Sequence, residues 1–325
     1  MHISVDRQRF PSGFRHVSVM LLILLLLPLV LLGSAVEAQS APSSVPPAPQ
    51  NPSPMVESTR LHARLAPREL GGHRRTFPGP AGRPVEVWVS PRTKSRETYP
   101  LVIHFHGASW LADQAVASLG DGTVSAVLNL GAGSGIYDRS FVDATVFDSL
   151  LAGIDREVSQ VLGRPMHAAR ITLSGFSAGH GAIRRILREP RYLARVQAVL
   201  LLDGMHTSYV PEGQPLASGA GLDSTNLMAF AEFARLAMRG DKRFLVTHTE
   251  IFPGTFASTT ETADWLLQTL GLQRKAVLRW GPRGAQQLSE VRVGRFVVRG
   301  FAGNSAPDHT DQYHGMPEYL RALLE

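Results

Sequence analysis

The sequence predicts an α/β protein with a mostly parallel central sheet covered by helices on both sides, and three observations carry that expectation. Short apolar runs of strand length alternate with segments of helical spacing from residue 85 to the C-terminus. The run at 196–202 is almost continuously apolar, as a strand buried on both faces must be. Composition is ordinary for a globular chain, with 44% hydrophobic and 18% charged residues and no repeat.

Taken in order, the chain opens with a segment of another kind. Arg7, Arg9 and Arg15 precede an apolar run at 17–32, followed by Gly33-Ser34-Ala35-Val36-Glu37-Ala38. A basic region, a short apolar stretch and a Val-x-Ala end describe a signal peptide of residues 1–38, cut after Ala38, and hence an exported protein, periplasmic or secreted. The alternative is a membrane anchor at 17–32, although 16 residues with Pro28 among them make a short span. No cysteine follows, which excludes a lipoprotein, and no twin-arginine pair precedes. Residues 39–56 form a Pro/Ser/Ala tract that cannot bury apolar surface and reads as a disordered linker. The folded part is expected at 57–325, as a single domain.

Within it, strands are expected at 85–89, 101–105, 124–130, 171–174, 196–202, 244–247 and 291–298. Helices are expected at 147–162, 178–187, 261–270 and over the last dozen residues. Cysteine is absent, which removes disulfides, thiol catalysis and Cys-based zinc sites together. The net charge of +6 is spread along the chain without a basic, aromatic-laced stripe. That pattern speaks against nucleic acid, while leaving room for anionic partners or association with the cell envelope.

The strongest chemical signal is Leu173-Ser174-Gly175-Phe176-Ser177-Ala178-Gly179-His180-Gly181, a Gly-x-Ser-x-Gly turn between a strand and a helix. A serine lifted on a sharp turn needs small residues two positions either side, because strand and helix backbones pass close there. The helix beginning at Ala178 offers free N–H groups and a positive dipole end to a developing oxyanion. A second signal is the apolar strand Leu101-Val102-Ile103-His104-Phe105 running into His106-Gly107-Ala108. His104 and His106 fall on one face of that strand, which opens a metal-site alternative lacking a clear third ligand. A core role for His104 is the other reading.

On these two motifs, and on the order Ser…acid…His, the chain resembles the α/β-hydrolase superfamily over roughly residues 85–325. The resemblance implies a three-layer α/β-hydrolase fold. It also implies a serine hydrolase that cleaves an ester or amide bond of a small-molecule or peptide substrate, without metal or other cofactor. Ser177 would be the nucleophile, and the N–H groups of Ala178 and Ala108 the oxyanion hole. In such folds the base follows the last strand, where His309 and His314 both lie; His309 is favoured. Asp203, at the end of the buried strand, and Glu250, at the end of the next, are rival acids; Asp203 is favoured. The rival functions are a non-catalytic binding protein of the cell envelope and a metal-dependent hydrolase. Among weaker features, Gly131-Ala132-Gly133-Ser134-Gly135 lacks a phosphate-loop lysine and reads as a pocket loop. His206 is read as lining the pocket or capping a turn, and Trp110 as packing beside the cleft or in the core.

Overall fold

The computed structural model describes residues 64–94 and 97–325, so the signal segment or anchor and the linker lie outside the described residues. Strand and helix alternate from His73 onward. An antiparallel hairpin of β1 (His73–Pro78) and β2 (Pro84–Val89) leads to β3 (Thr98–Phe105), α1 (Ser109–Ala117) and β4 (Val124–Leu128). Next come α2 (Ser134–Arg139), α3 (Thr145–Leu162), β5 (His167–Phe176), α4 (His180–Leu187), α5 (Pro190–Arg195) and β6 (Val196–Leu202). A two-stranded ribbon, β7 (Tyr209–Val210) and β8 (Gly221–Leu222), precedes α6 (Met228–Met238), β9 (Arg243–His248) and α7 (Thr259–Thr269). The chain closes with β10 (Lys275–Trp280), β11 (Gln286–Val293), β12 (Phe296–Phe301), α8 (Ala306–His314) and α9 (Met316–Leu324).

Ten strands form one sheet in the order β1-β2-β4-β3-β5-β6-β9-β12-β11-β10. The six from β4 to β12 run parallel, and antiparallel strands close both flanks. Parallel neighbours need helical crossovers, and these cover both faces. Alternate residues of the continuous run in β6 serve the two sides. Val199 and Leu201 pack with the larger helical layer, while Ala198, Leu200 and Leu202 pack with α1 and α9. In β3, Leu101 and Ile103 divide from Val102 in the same way. Each of these valine, leucine and isoleucine side chains, fully buried, contributes roughly 1.5–3 kcal/mol.

Several expectations are corrected. The strand expected at 291–298 is two, because the chain reverses at Gly294, whose φ of 57° permits the turn between β11 and β12. The strand at 124–130 stops at Leu128. The helix expected from Ala178 begins with a 3₁₀ turn at Ser177–Gly179 and becomes α-helical at His180. His309, left outside a helix expected only over the last dozen residues, lies in the first turn of α8, whose start is fixed by a capping box between Ser305 and Asp308. Helices α1 and α6, and the edge strands β1 and β10, escape the apolar-run reading. Among the described residues no helix is long and apolar enough to cross a membrane.

Candidate active site

Every parallel strand points its carboxyl end to one edge of the sheet, where open α/β sheets hold their ligands. There β5 delivers Ser177, β6 delivers Asp203, β3 delivers His106 and the segment after β12 delivers His309.

Ser177 has φ 47°, a left-handed conformation unusual for a non-glycine residue. The turn is possible because its glycines leave room. A Cβ on Gly179 would fall onto the backbone carbonyl of Phe105, 2.8 Å from its carbon. One on Gly175 would stand 3.1 Å from the Gly179 carbonyl carbon. The loop after β6 lies equally close, since a Cβ on Gly204 would come 2.7 Å from both the nitrogen and the oxygen of Ser177. Small residues are therefore required on three sides of the serine backbone.

Asp203 also has positive φ, 44°, and its carboxylate is enclosed by donors. His309 Nδ1 lies 2.7 Å from one oxygen, which Thr249 Oγ1 also donates to at 2.7 Å. The other oxygen accepts from the Thr249 N–H at 2.9 Å and from Thr259 Oγ1 at 2.5 Å. Burial pushes this carboxyl up, but the hydrogen bond and charge of His309, with the Thr259 and Thr249 hydroxyls, bring it below its ordinary value. Asp203 is 1% exposed and the His309 side chain 27%, so the acid is sealed while the imidazole reaches the open side. The His309 ring rests on Phe176, the residue before Ser177, with 4.5 Å between ring centroids.

The rival candidates are held elsewhere. His314 accepts a hydrogen bond from the Leu65 N–H at Nδ1, 3.0 Å away, and its ring lies near Trp110. Glu250 is exposed and ties its loop to Gly303, whose N–H it accepts at 3.4 Å. His104 and His106 do not share a face, because His106 lies beyond β3 with φ 72°. Both ring nitrogens of His104 are engaged, by Ser174 Oγ at 3.0 Å and the His106 carbonyl at 2.8 Å. Burial lowers His104 to about 3, so it is a neutral core histidine stacked on Tyr313. His106 Nδ1 pairs with the Tyr137 hydroxyl at 2.9 Å. Among the described residues no group of three metal-ligating side chains is assembled.

Of the two amides expected to form an oxyanion hole, that of Ala178 belongs to a residue lining the cleft beside Ser177. The His106 N–H donates to Leu128 and the Gly107 N–H to Asn129 Oδ1, so the next amide along is that of Ala108. The Ala108 carbonyl is fixed by the Tyr313 hydroxyl at 2.7 Å, which sets the orientation of this loop. The cleft measures about 750 Å³ and is also lined by residues 132–135 and by His180, His206 and Phe256. The residues that sequence reasoning missed are the supports: Thr249, Thr259, Tyr137, Asn129 and Tyr313. Only Thr259 left a signal, the Ser258-x-x-Glu261 capping box that starts α7 beside it.

The sheet order and the strand–turn–helix at Ser177 decide the architecture. The fold is that of an α/β hydrolase. No family model matches the chain, and no curated protein matches it. Solved structures similar in chain path include a zinc-bound cold-adapted esterase from an Arctic intertidal metagenomic library. It shares 15% identity over 78% of this chain and 93% of that one, with a TM-score of 0.41. An S-formylglutathione hydrolase from Agrobacterium tumefaciens shares 14% identity over 78% and 95%, with a TM-score of 0.44. Oligopeptidase B from Leishmania major shares 13% over 78% of this chain and 36% of that one, with a TM-score of 0.39.

Proposed function

We propose that this protein is an exported serine hydrolase that cleaves an ester or amide bond through an acyl-enzyme, with Ser177, His309 and Asp203 as its triad. The observation that carries the reading is the 2.7 Å pair between the buried Asp203 carboxylate and His309 Nδ1, beside the strained turn at Ser177. A carboxylate only accepts, so Nδ1 carries the proton and Nε2 keeps the lone pair a general base needs. Ser177 Oγ adds to the substrate carbonyl carbon as Nε2 takes its proton. The carbonyl electrons move onto oxygen, where the N–H groups of Ala178 and Ala108 receive the charge. Collapse of that intermediate expels the leaving group, which takes the proton from His309. Water then repeats the sequence on the acyl-enzyme, freeing the acid and Ser177.

Export rests on the pattern of residues 1–38 alone. Rapid mixing with a 4-nitrophenyl ester tests the chemistry. The reading expects a burst of nitrophenol stoichiometric with enzyme, abolished by Ser177→Ala and His309→Ala and preserved by His314→Ala. A burst that survives His309→Ala and vanishes with His314→Ala would reassign the base; turnover untouched by Ser177→Ala would refute the reading.

A further inference from the structure

The cleft beside Ser177 is lined by a side chain that the acyl-transfer steps leave unused. His180, the first residue of α4, is 1% exposed and lines the cleft. Its Nδ1 lies 2.9 Å from the backbone carbonyl oxygen of Ser177. A carbonyl can only accept, so Nδ1 bears the proton and Nε2 the lone pair. That Nε2 is buried and has no hydrogen-bond partner among the described residues. Burial lowers the ring to about 3, which keeps it a neutral acceptor. An unpaired buried acceptor is costly in a native structure and points to a partner that arrives later.

The surroundings say what kind of partner. His206 lines the same cleft, with its ring centroid 5.6 Å from that of His180. Its Nδ1 is likewise spent on a carbonyl, that of Ala257 at 2.9 Å, so its Nε2 is also a lone-pair nitrogen. Ser134, Ser208 and Glu212 add hydroxyl and carboxylate groups, against one large apolar side chain, Phe256. An alkyl chain would leave these groups unpaired. An anion fits no better, because Arg184, the one guanidinium of the lining, is held by Asp138 at 2.8–2.9 Å. Among the described residues the other imidazole whose Nε2 is both buried and unpaired, His248, is pressed against Gly300 and takes no part in the lining.

We infer that His180 determines specificity, its Nε2 accepting a hydrogen bond from a substrate hydroxyl, so that the favoured substrate is an ester bearing a hydroxyl a few bonds from the scissile carbonyl. The inference rests on Ser177 being the nucleophile. A site built around such a bond rejects the analogue that lacks it, because its own polar atom is then left unpaired.

The test uses the purified full chain and two matched pairs, glycerol monoacetate against propyl acetate and methyl 3-hydroxybutyrate against methyl butyrate. Wild type should favour the hydroxylated member of at least one pair by roughly tenfold or more in kcat/KM. His180→Asn retains a donor in the position of Nδ1 and deletes Nε2, and should bring that ratio to within about twofold. His206→Asn, which spares the contact to Ser177, should reduce the same ratio and serves if the first variant is unstable. Protein that takes a fluorophosphonate at Ser177 yet ignores the hydroxyl, or keeps its preference in both variants, overturns the inference alone. Protein that takes no label and cleaves none of the four esters defeats the hydrolase reading beneath it.

Discussion

Replacing Asp203 by Asn isolates the orienting role proposed for the carboxylate. The aspartate oxygens accept four hydrogen bonds, two from Thr249 and one each from Thr259 and His309. In the asparagine the carbonyl oxygen can keep the Thr249 N–H and Thr259, leaving the NH₂ group to face Thr249 Oγ1 and His309 Nδ1. The threonine hydroxyl can rotate to accept. The imidazole can accept only by moving its proton to Nε2, and that nitrogen can then no longer take the proton of Ser177. A wrong-tautomer variant of this kind is expected to lose about 10⁴-fold in kcat, about 5.4 kcal/mol of transition-state stabilisation. The stability cost should stay near that of one charge-assisted bond, roughly 1.5–3 kcal/mol. Steady-state hydrolysis of a 4-nitrophenyl ester, with urea unfolding beside it, measures both. Glu250→Gln, altering an exposed carboxylate that only ties down a loop, should leave kcat within about twofold. If Asp203→Asn keeps kcat within tenfold while Glu250→Gln loses it, the assignment of the acid is wrong.

Three more outcomes are expected. Gly179→Ala drives a methyl into the Phe105 carbonyl and should cost about 3 kcal/mol or prevent folding, read as a lowered urea midpoint. Tyr313→Phe frees the Ala108 carbonyl and should lower kcat about tenfold with KM little changed, the signature of a displaced oxyanion donor. Acid should destabilise the fold through buried neutral histidines: His104 and His180 are lowered to about 3, and His248 to about 4, from 6.5. Unfolding then takes up protons below pH 6.5, so stability falls from there down to the folded values. The loss is about 1.4 kcal/mol per pH unit for each histidine, or roughly 6 kcal/mol in all by pH 5. Urea midpoints constant from pH 7 to 5 would contradict it.

The alternation of buried runs with helical spacing shows in the sequence because β6 and its neighbours are covered on both faces. The edge strands do not show: β10 is mostly exposed, with Leu278 76% and Trp280 74% accessible, so no apolar period marks it. The turn at Gly294 was hidden because Val291, Val293, Val297 and Val298 read through it as one run. At the site, Ser177 was legible because its turn demands glycines in fixed places. Asp203 ends an unmistakable strand. His309 was harder to separate from His314, as spacing cannot say which imidazole meets a carboxylate 106 residues away. A cue was nevertheless present in Ser305-Ala306-Pro307-Asp308, a capping box with Pro in the first helical turn. It fixes where α8 begins, and so which histidine lies in its first turn. Thr249, just past β9, and Thr259, the first residue of α7, flank one connecting segment, and nothing local in the chain reveals that they converge on Asp203.

The most direct measurement is the mass spectrum of the full chain after exposure to a fluorophosphonate, with the adduct mapped by proteolysis. The account predicts one phosphonyl group per molecule, on Ser177, and no adduct in His309→Ala at the same exposure. A well-folded wild-type protein that stays unlabelled, or carries the adduct on another residue, would contradict it.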